Sequence, residues 1–225
     1  FLANESIIKE FHNHLKSLGK PLDLQSLVGA DSETTGLPLQ DNKFVLPITT
    51  YKNYVEYLES EFSSETKKTL LKKERRIERE DITITKNNWT DIEYLFEYNI
   101  AMFGEYSSFS DRDFHKEIFR DLLQLPEFKT ELMTFTAHGK VVATSLAWLY
   151  NGCYAYVLTG IDPNGLKDMS TYINLKNIQN AIELGAHTVD CFTGAYGWKD
   201  RWHFHKIPQY RLGTIAIKTY GPSSL

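Results

Sequence analysis

Tyr154-Ala155-Tyr156-Val157-Leu158-Thr159-Gly160-Ile161-Asp162 is an apolar, aromatic run ending in Gly-x-Asp, and the turn residues Pro163-Asn164-Gly165 follow at once. Its tyrosines and β-branched residues, bounded by turn chemistry, predict a strand. From Ser170 to Leu184 the spacing becomes helical. Thr171, Leu175, Ile178, Ala181 and Ile182 share one face and Ile173 and Leu184 lie opposite, so this helix is expected to be buried on two sides. Gly185 stops it, and Thr188 to Phe192 is expected to form another strand. A helix that starts beside the end of a strand aims its free N–H groups and positive dipole end over that strand, where phosphates are the usual guests. Gly165 permits a close backbone approach, and Ser170 can cap the helix or donate to a ligand. On local pattern alone an ordinary crossover, with Asp162 and Pro163 shaping a turn, is the simpler reading.

Upstream, Glu131 to Ala137, Val141 to Leu149 and Tyr154 to Ile161 read as three antiparallel strands joined at His138-Gly139 and Asn151-Gly152. Before them come a strand, Ile82 to Thr85, and two helices, Trp89 to Phe103 and Asp111 to Leu125, the last ended by Pro126. Pro208 to Lys218 is the last expected strand. Such an order predicts an α/β (α+β) fold with a mixed sheet layered by helices. In the first part of the chain a helix is expected over Asn4 to Leu18, a loop over Gly29 to Asn42 and a short strand over Lys43 to Thr49. A further helix ends at Phe62, and Ser63-Ser64-Glu65 caps a highly charged one that runs to about Glu80. A boundary near 79–81 divides an incomplete N-terminal region, 1–80, from a domain at 81–225.

The chain has 225 residues and a formal charge of −4, so no global field favours nucleic acid or an anionic membrane. Two cysteines, Cys153 and Cys191, are too few for a disulfide framework and are read as buried thiols. No stretch of about twenty apolar residues is present, and a cytoplasmic protein is expected.

Read as a whole, the Tyr154 to Ile161 run, the helix, Val189-Asp190-Cys191-Phe192-Thr193-Gly194 and Tyr196-Gly197-Trp198-Lys199-Asp200-Arg201-Trp202 resemble the C-terminal half of the FemAB-like branch of the GNAT superfamily. Within it, the run resembles the cellulose-biosynthesis-type acetyltransferases. The run Ser64 to Glu78 resembles the basic helix that precedes this domain in that family. Two departures stand out. No Gln/Arg-x-x-Gly-x-Gly/Ala loop lies between Asp162 and Ser170, where Asp168-Met169-Ser170 takes its place, and Cys191 separates Asp190 from Phe192. The resemblance implies a GNAT-like, largely antiparallel twisted sheet flanked by helices, with acyl-CoA as donor substrate; with no third ligand near His203 and His205 in sequence, no metal is expected. It implies a donor site at Gly160, Asp162, Asn164, Gly165, Ser170 and Thr171. It also implies an acceptor site shaped by Tyr106 and Arg112, between the two early helices, with Trp198 and Arg201.

Acylation of an amine needs a base for the amine proton and donors for the charge on the carbonyl oxygen. Asp190, near a strand end, can orient or deprotonate an amine, or simply pair with Lys199 or Arg201. Tyr196 can donate a proton, and Lys199 or Arg201 can bind a phosphate or carboxylate. The resemblance favours a site role for Lys199, whereas Trp198 and Trp202 suit a core. His203 and His205 are weak zinc candidates and alternative bases. Lys67, Lys68, Lys72, Lys73, Arg75, Arg76 and Arg79 outnumber Glu65, Glu74, Glu78 and Glu80 on the charged helix. A solvated face explains them, and a phosphate, carrier-protein or tRNA partner is the alternative.

Three functions compete. One is an N-acyltransferase that uses acyl-CoA to modify an amine, such as a cell-envelope or polysaccharide precursor. Another is a tRNA-dependent aminoacyl transferase of peptidoglycan-bridge type, and the last a non-catalytic GNAT-fold binding module.

Overall fold

The computed structural model describes residues 10, 13–14, 17, 23–28, 38–110, 113–123, 125, 129–194 and 197–213. In chain order the strands and helices are β1 (Asp23–Val28), β2 (Leu39–Pro47), α1 (Tyr54–Glu61), α2 (Ser64–Glu78), β3 (Ile82–Lys86), α3 (Ile92–Phe103) and α4 (Asp113–Leu122). They continue with β4 (Lys129–Ala137), β5 (Lys140–Tyr150), β6 (Cys153–Ile161), α5 (Met169–Glu183), β7 (Thr188–Asp190), α6 (Trp198–Arg201) and β8 (His205–Gly213). Two compact units result, one of residues 45–192 and one of residues 1–44 with 193–225.

In the central unit the strands lie in the order β2-β7-β6-β5-β4-β3, antiparallel except for β6 with β7. The hairpins close as their sequences require. His138 and Gly139 have φ of 50° and 76°, and Asn151 and Gly152 have 48° and 72°. Positive φ at both central residues is the type I′ geometry whose twist matches that of the strands. One face of the sheet packs Met133, Phe135 and Ala143 against Ile77 of α2 and Met169, Tyr172 and Ile173 of α5. The other packs Leu132 and Leu146 against Ile92, Leu95 and Phe96 of α3, with Phe109 between them. This is a mixed, largely antiparallel sheet flanked by helices, as the element order predicts.

Ser63 starts α2 by accepting from the N–H of Thr66 at 3.2 Å. Glu65 in the first turn and Arg75 and Arg76 in the last match the helix dipole. The partner of α2 is α5. Lys176 donates to Glu74 at 2.8 Å, and the Tyr54 hydroxyl donates to the same carboxylate at 2.6 Å. A hydrogen-bonded amide cluster lies beneath α5. The Tyr154 hydroxyl donates to Asn177 Oδ1 at 2.9 Å, Asn177 Nδ2 donates to Ser145 at 2.9 Å, and Asn180 Nδ2 reaches the Tyr154 oxygen at 3.3 Å.

In the other unit β1 pairs antiparallel with β8, and the N–H of Arg211 donates to the carbonyl of Pro38. Residues 10, 13, 14 and 17 of the first expected helix are helical, and the rest of it lies outside the described residues. Three expectations need correction. Asp23–Val28 is a strand that the sequence did not predict, because its DLQSLV run does not alternate and its partner β8 is remote in sequence. Leu39 to Asn42, read as loop, belongs to β2. Cys153 is only half-buried, whereas Cys191 is buried. No helix among the described residues is long and apolar enough to cross a membrane.

At Gly160 the backbone of α3 lies close against the sheet. A Cβ there would lie 2.9 Å from the Leu95 carbonyl oxygen, which is backbone and cannot swing aside. Gly160→Ala should therefore lower stability by about 1–3 kcal/mol. Gly197→Ala, where a Cβ meets nothing, is the control. Denaturant midpoints of the two variants check this, and equal midpoints would refute it.

Candidate active site

The central parallel pair parts early. β6 and β7 are paired only through Cys153 with Thr188, Tyr154 with Val189 and Ala155 with Asp190. β7 then stops, while β6 runs on to Ile161. On its other edge the register against β5 slips between Leu146–Leu158 and Ala147–Tyr156, leaving Val157 without a partner. Such a bulge bends a strand and breaks its alternation. Here Val157 and Leu158 both pack toward α3, while Tyr156 and Ile161 pack toward α5. Thr159 donates to the Tyr156 hydroxyl at 2.7 Å, and burial pushes that phenol well above its ordinary value, so it stays neutral.

Asp190 sits where the two strands part, opposite Ala155, and is 5% exposed. Its Oδ1 accepts from the N–H of Phe192 at 2.9 Å, and Phe192 takes a left-handed backbone at φ 54°. The carboxylate thus holds the turn that leads the chain away from β6.

At the far end of β6 the loop to α5 is built on Asp162. It accepts from Lys140 Nζ at 2.7 Å and from the N–H of Asn164 at 2.9 Å. The Lys140 hydrogen bond, then that of Asn164, holds its carboxyl below the usual value. The close approach that Gly165 permits is to this same loop, since a Cβ would lie 2.9 Å from the Asp162 carbonyl oxygen. Ser170 does not cap α5. The N-cap is Asp168, without a side-chain capping bond, and Ser170 stands exposed inside the first turn beside half-buried Thr171. Asp162, Asn164, Gly165, Ser170 and Thr171 are thus gathered at one end of β6 and α5, while Gly160 faces α3.

In the other unit Lys199 points inward. It is 3% exposed, its Nζ donates to the Thr193 carbonyl at 2.6 Å, and it lies 4.7 Å from the centroid of the Phe44 ring. Trp198 packs edge-on against Phe204, and Arg201 is exposed. Tyr106 is 73% exposed at the end of a short 3-10 turn, Gly104–Tyr106. Tyr196 and Arg112 lie outside the described residues. Among the described residues no group of three or more His, Cys, Asp or Glu is placed to hold a metal.

Two features escape sequence reading. Arg76 and Lys73 of α2 both pair with Asp168. The Asn177–Ser145–Tyr154–Asn180 cluster had a signal, two asparagines three apart in a helix expected to be buried on two sides.

The mixed sheet with its early-parting parallel strands, taken with a family match over residues 64–200, places the chain among acyltransferases. The chain belongs to the acetyltransferase (GNAT) domain family, which matches residues 64–200. No curated protein matches it in sequence. Solved structures share the fold at low identity. FemX superposes with a TM-score of 0.66 at 11% identity, over 93% of this chain and 77% of that one. L-PGS from Bacillus licheniformis gives 0.63 at 13%, over 92% and 72%. A tandem GNAT protein from the clavulanic acid biosynthesis pathway gives 0.52 at 8%, over 95% and 70%.

The Lys140–Asp162 pair makes stability depend on pH in a defined direction. A carboxyl held below its ordinary 3.8 stabilises the fold above that value and loses the contribution as pH falls through the folded value. Lys140→Met should therefore unfold at lower urea than wild type at pH 7, and the gap should shrink below pH 3.8. A gap unchanged between pH 7 and pH 3 would rule out this linkage.

Proposed function

We propose that the chain transfers an acyl group, acetyl in the simplest case, from an acyl-CoA to an amine. The early parting of β6 from β7 carries this reading. From Tyr156 to Ile161 one edge of β6 has no β7 residue beside it, so its backbone groups can hydrogen-bond an extended thioester arm. The loop of Asp162, Asn164 and Gly165, with Ser170 and Thr171 in the first turn of α5, suits the diphosphate at the other end of that arm.

In the reaction the amine nitrogen attacks the thioester carbonyl, the C–S bond breaks and the thiolate leaves, and the amine proton must be removed. Asp190, at the fork of the strands, is the base in this reading, acting directly or through one water. The acceptor is an amine, and a cell-envelope or polysaccharide precursor is the class that the family resemblance implies. Exposed Tyr106 is one of the described residues offered to it.

A second reading has an aminoacyl-tRNA as donor. The cations of α2 favour it. Calorimetry and thermal unfolding with acetyl-CoA separate the two. Ligand at about 100 times Kd should add about 2.7 kcal/mol of stability. Thiol release with an amine panel should slow by about 10²-fold or more in Asp190→Asn, with acetyl-CoA binding retained. Retention of aminoacylated tRNA without binding of any acyl-CoA would decide for the second reading.

A further inference from the structure

The outer face of α2 is a row of cations. Glu74 and Ile77 point inward, to Lys176 and the core. Lys68, Lys72, Arg76 and Arg79 lie on the other side at helical spacing. With Lys73 and Lys167 they line a cleft of about 780 Å³, a size suited to a small ligand. Among the described residues the one carboxylate lining it is Asp168, and no carboxylate pairs with Lys68, Lys72 or Arg79. In a chain of net charge −4, so concentrated an unneutralised positive charge marks an anion site.

Asp168 behaves as a stand-in for that anion. It precedes α5 with φ 68° and ψ 12°, yet its side chain does not cap the helix, as an aspartate there ordinarily would. Its carboxylate is turned into the cleft instead. Arg76 grips it, Lys73 approaches to 3.4 Å, and Arg76 also donates to the Lys167 carbonyl at 3.0 Å.

We propose that this cleft binds phosphate groups at the nucleotide end of the donor, and that Asp168 is a displaceable counter-anion that holds the cleft until they arrive. The proposal rests on the acyl-CoA reading above. From Lys68 to Arg79 the cations run about 16 Å along α2, at 1.5 Å per residue. That leaves room, beyond the diphosphate on the loop between β6 and α5, for the separate phosphomonoester of the nucleotide. A concave cleft in an acidic chain fits a nucleotide better than the continuous basic track of a nucleic-acid site.

The test is calorimetry on the full chain with CoA, dephospho-CoA, pantetheine and adenosine 3′,5′-bisphosphate. Wild type should prefer CoA to dephospho-CoA. Lys72→Gln with Arg79→Gln, chosen because neither side chain holds the fold together, should weaken CoA by about tenfold and leave pantetheine unchanged. Asp168→Asn keeps a residue type that tolerates the left-handed backbone and removes the charge, so CoA should bind several-fold more tightly. Unchanged CoA affinity in the double variant, or weaker binding in Asp168→Asn, overturns the proposal. Should CoA and pantetheine bind no variant, the acyl-CoA reading fails by itself. Adenosine 3′,5′-bisphosphate that binds more tightly to Asp168→Asn and more weakly to the double variant would then still uphold the cleft. Failure of that ligand to bind, or loss of tRNA binding alone in the double variant, overturns it.

Discussion

The parallel contact between β6 and β7 lasts only from Cys153 to Ala155, and much of the central unit follows from where it stops. A parallel pair needs a crossover, which α5 supplies. Because the pairing ends while β6 continues, a strand in the middle of the sheet keeps an edge that would ordinarily be covered. The bulge at Val157 bends β6 at this point and sends Val157 and Leu158 to the same layer. A strand pinned by α3 at Gly160 and kinked just before it has few ways to close the gap.

Charge is placed to suit this frame. Asp162 and Asp190 bracket the free length of β6, and each is tied to backbone N–H groups, Asp162 to that of Asn164 and Asp190 to that of Phe192. Their carboxylates therefore shape the chain at both ends of the opening. The cations gather instead on α2, which is tied to α5 through buried Glu74 and half-buried Lys176. Removing Lys176 would leave the Glu74 carboxylate without its cation, in a place where water reaches it poorly.

The meander was legible because its turns were. His138-Gly139 and Asn151-Gly152 demand positive φ at both positions, and alternating strands on either side leave no other pairing. The charged helix was legible from Ser63 and the residues after it. β1 was not, since a strand on a remote partner takes its identity from tertiary contact rather than local pattern. At the candidate site Asp162, Asn164, Gly165, Ser170 and Thr171 lie at one end of β6 and α5 because they are near one another in sequence, while Asp190 lies opposite Ala155. What single side chains touch did not follow. Asp168 meets Arg76 across most of the domain, and Lys199 is drawn inward by the Thr193 carbonyl and the Phe44 ring, neither of which has a signature in its neighbours.

The amide cluster under α5 has a geometric consequence. Apolar layers tolerate small rotations of a helix about its axis, because dispersion contacts have little direction. Hydrogen bonds do not. Turning α5 by one residue, about 100°, would carry Asn177 and Asn180 away from Ser145 and Tyr154 and strand buried polar atoms in an apolar layer. The cluster therefore sets the azimuth of α5, and with it the direction in which the first turn, Met169 to Tyr172, presents its backbone. A site that depends on where N–H groups point is in this way indexed from the interior of the protein, two to three turns further along the same helix.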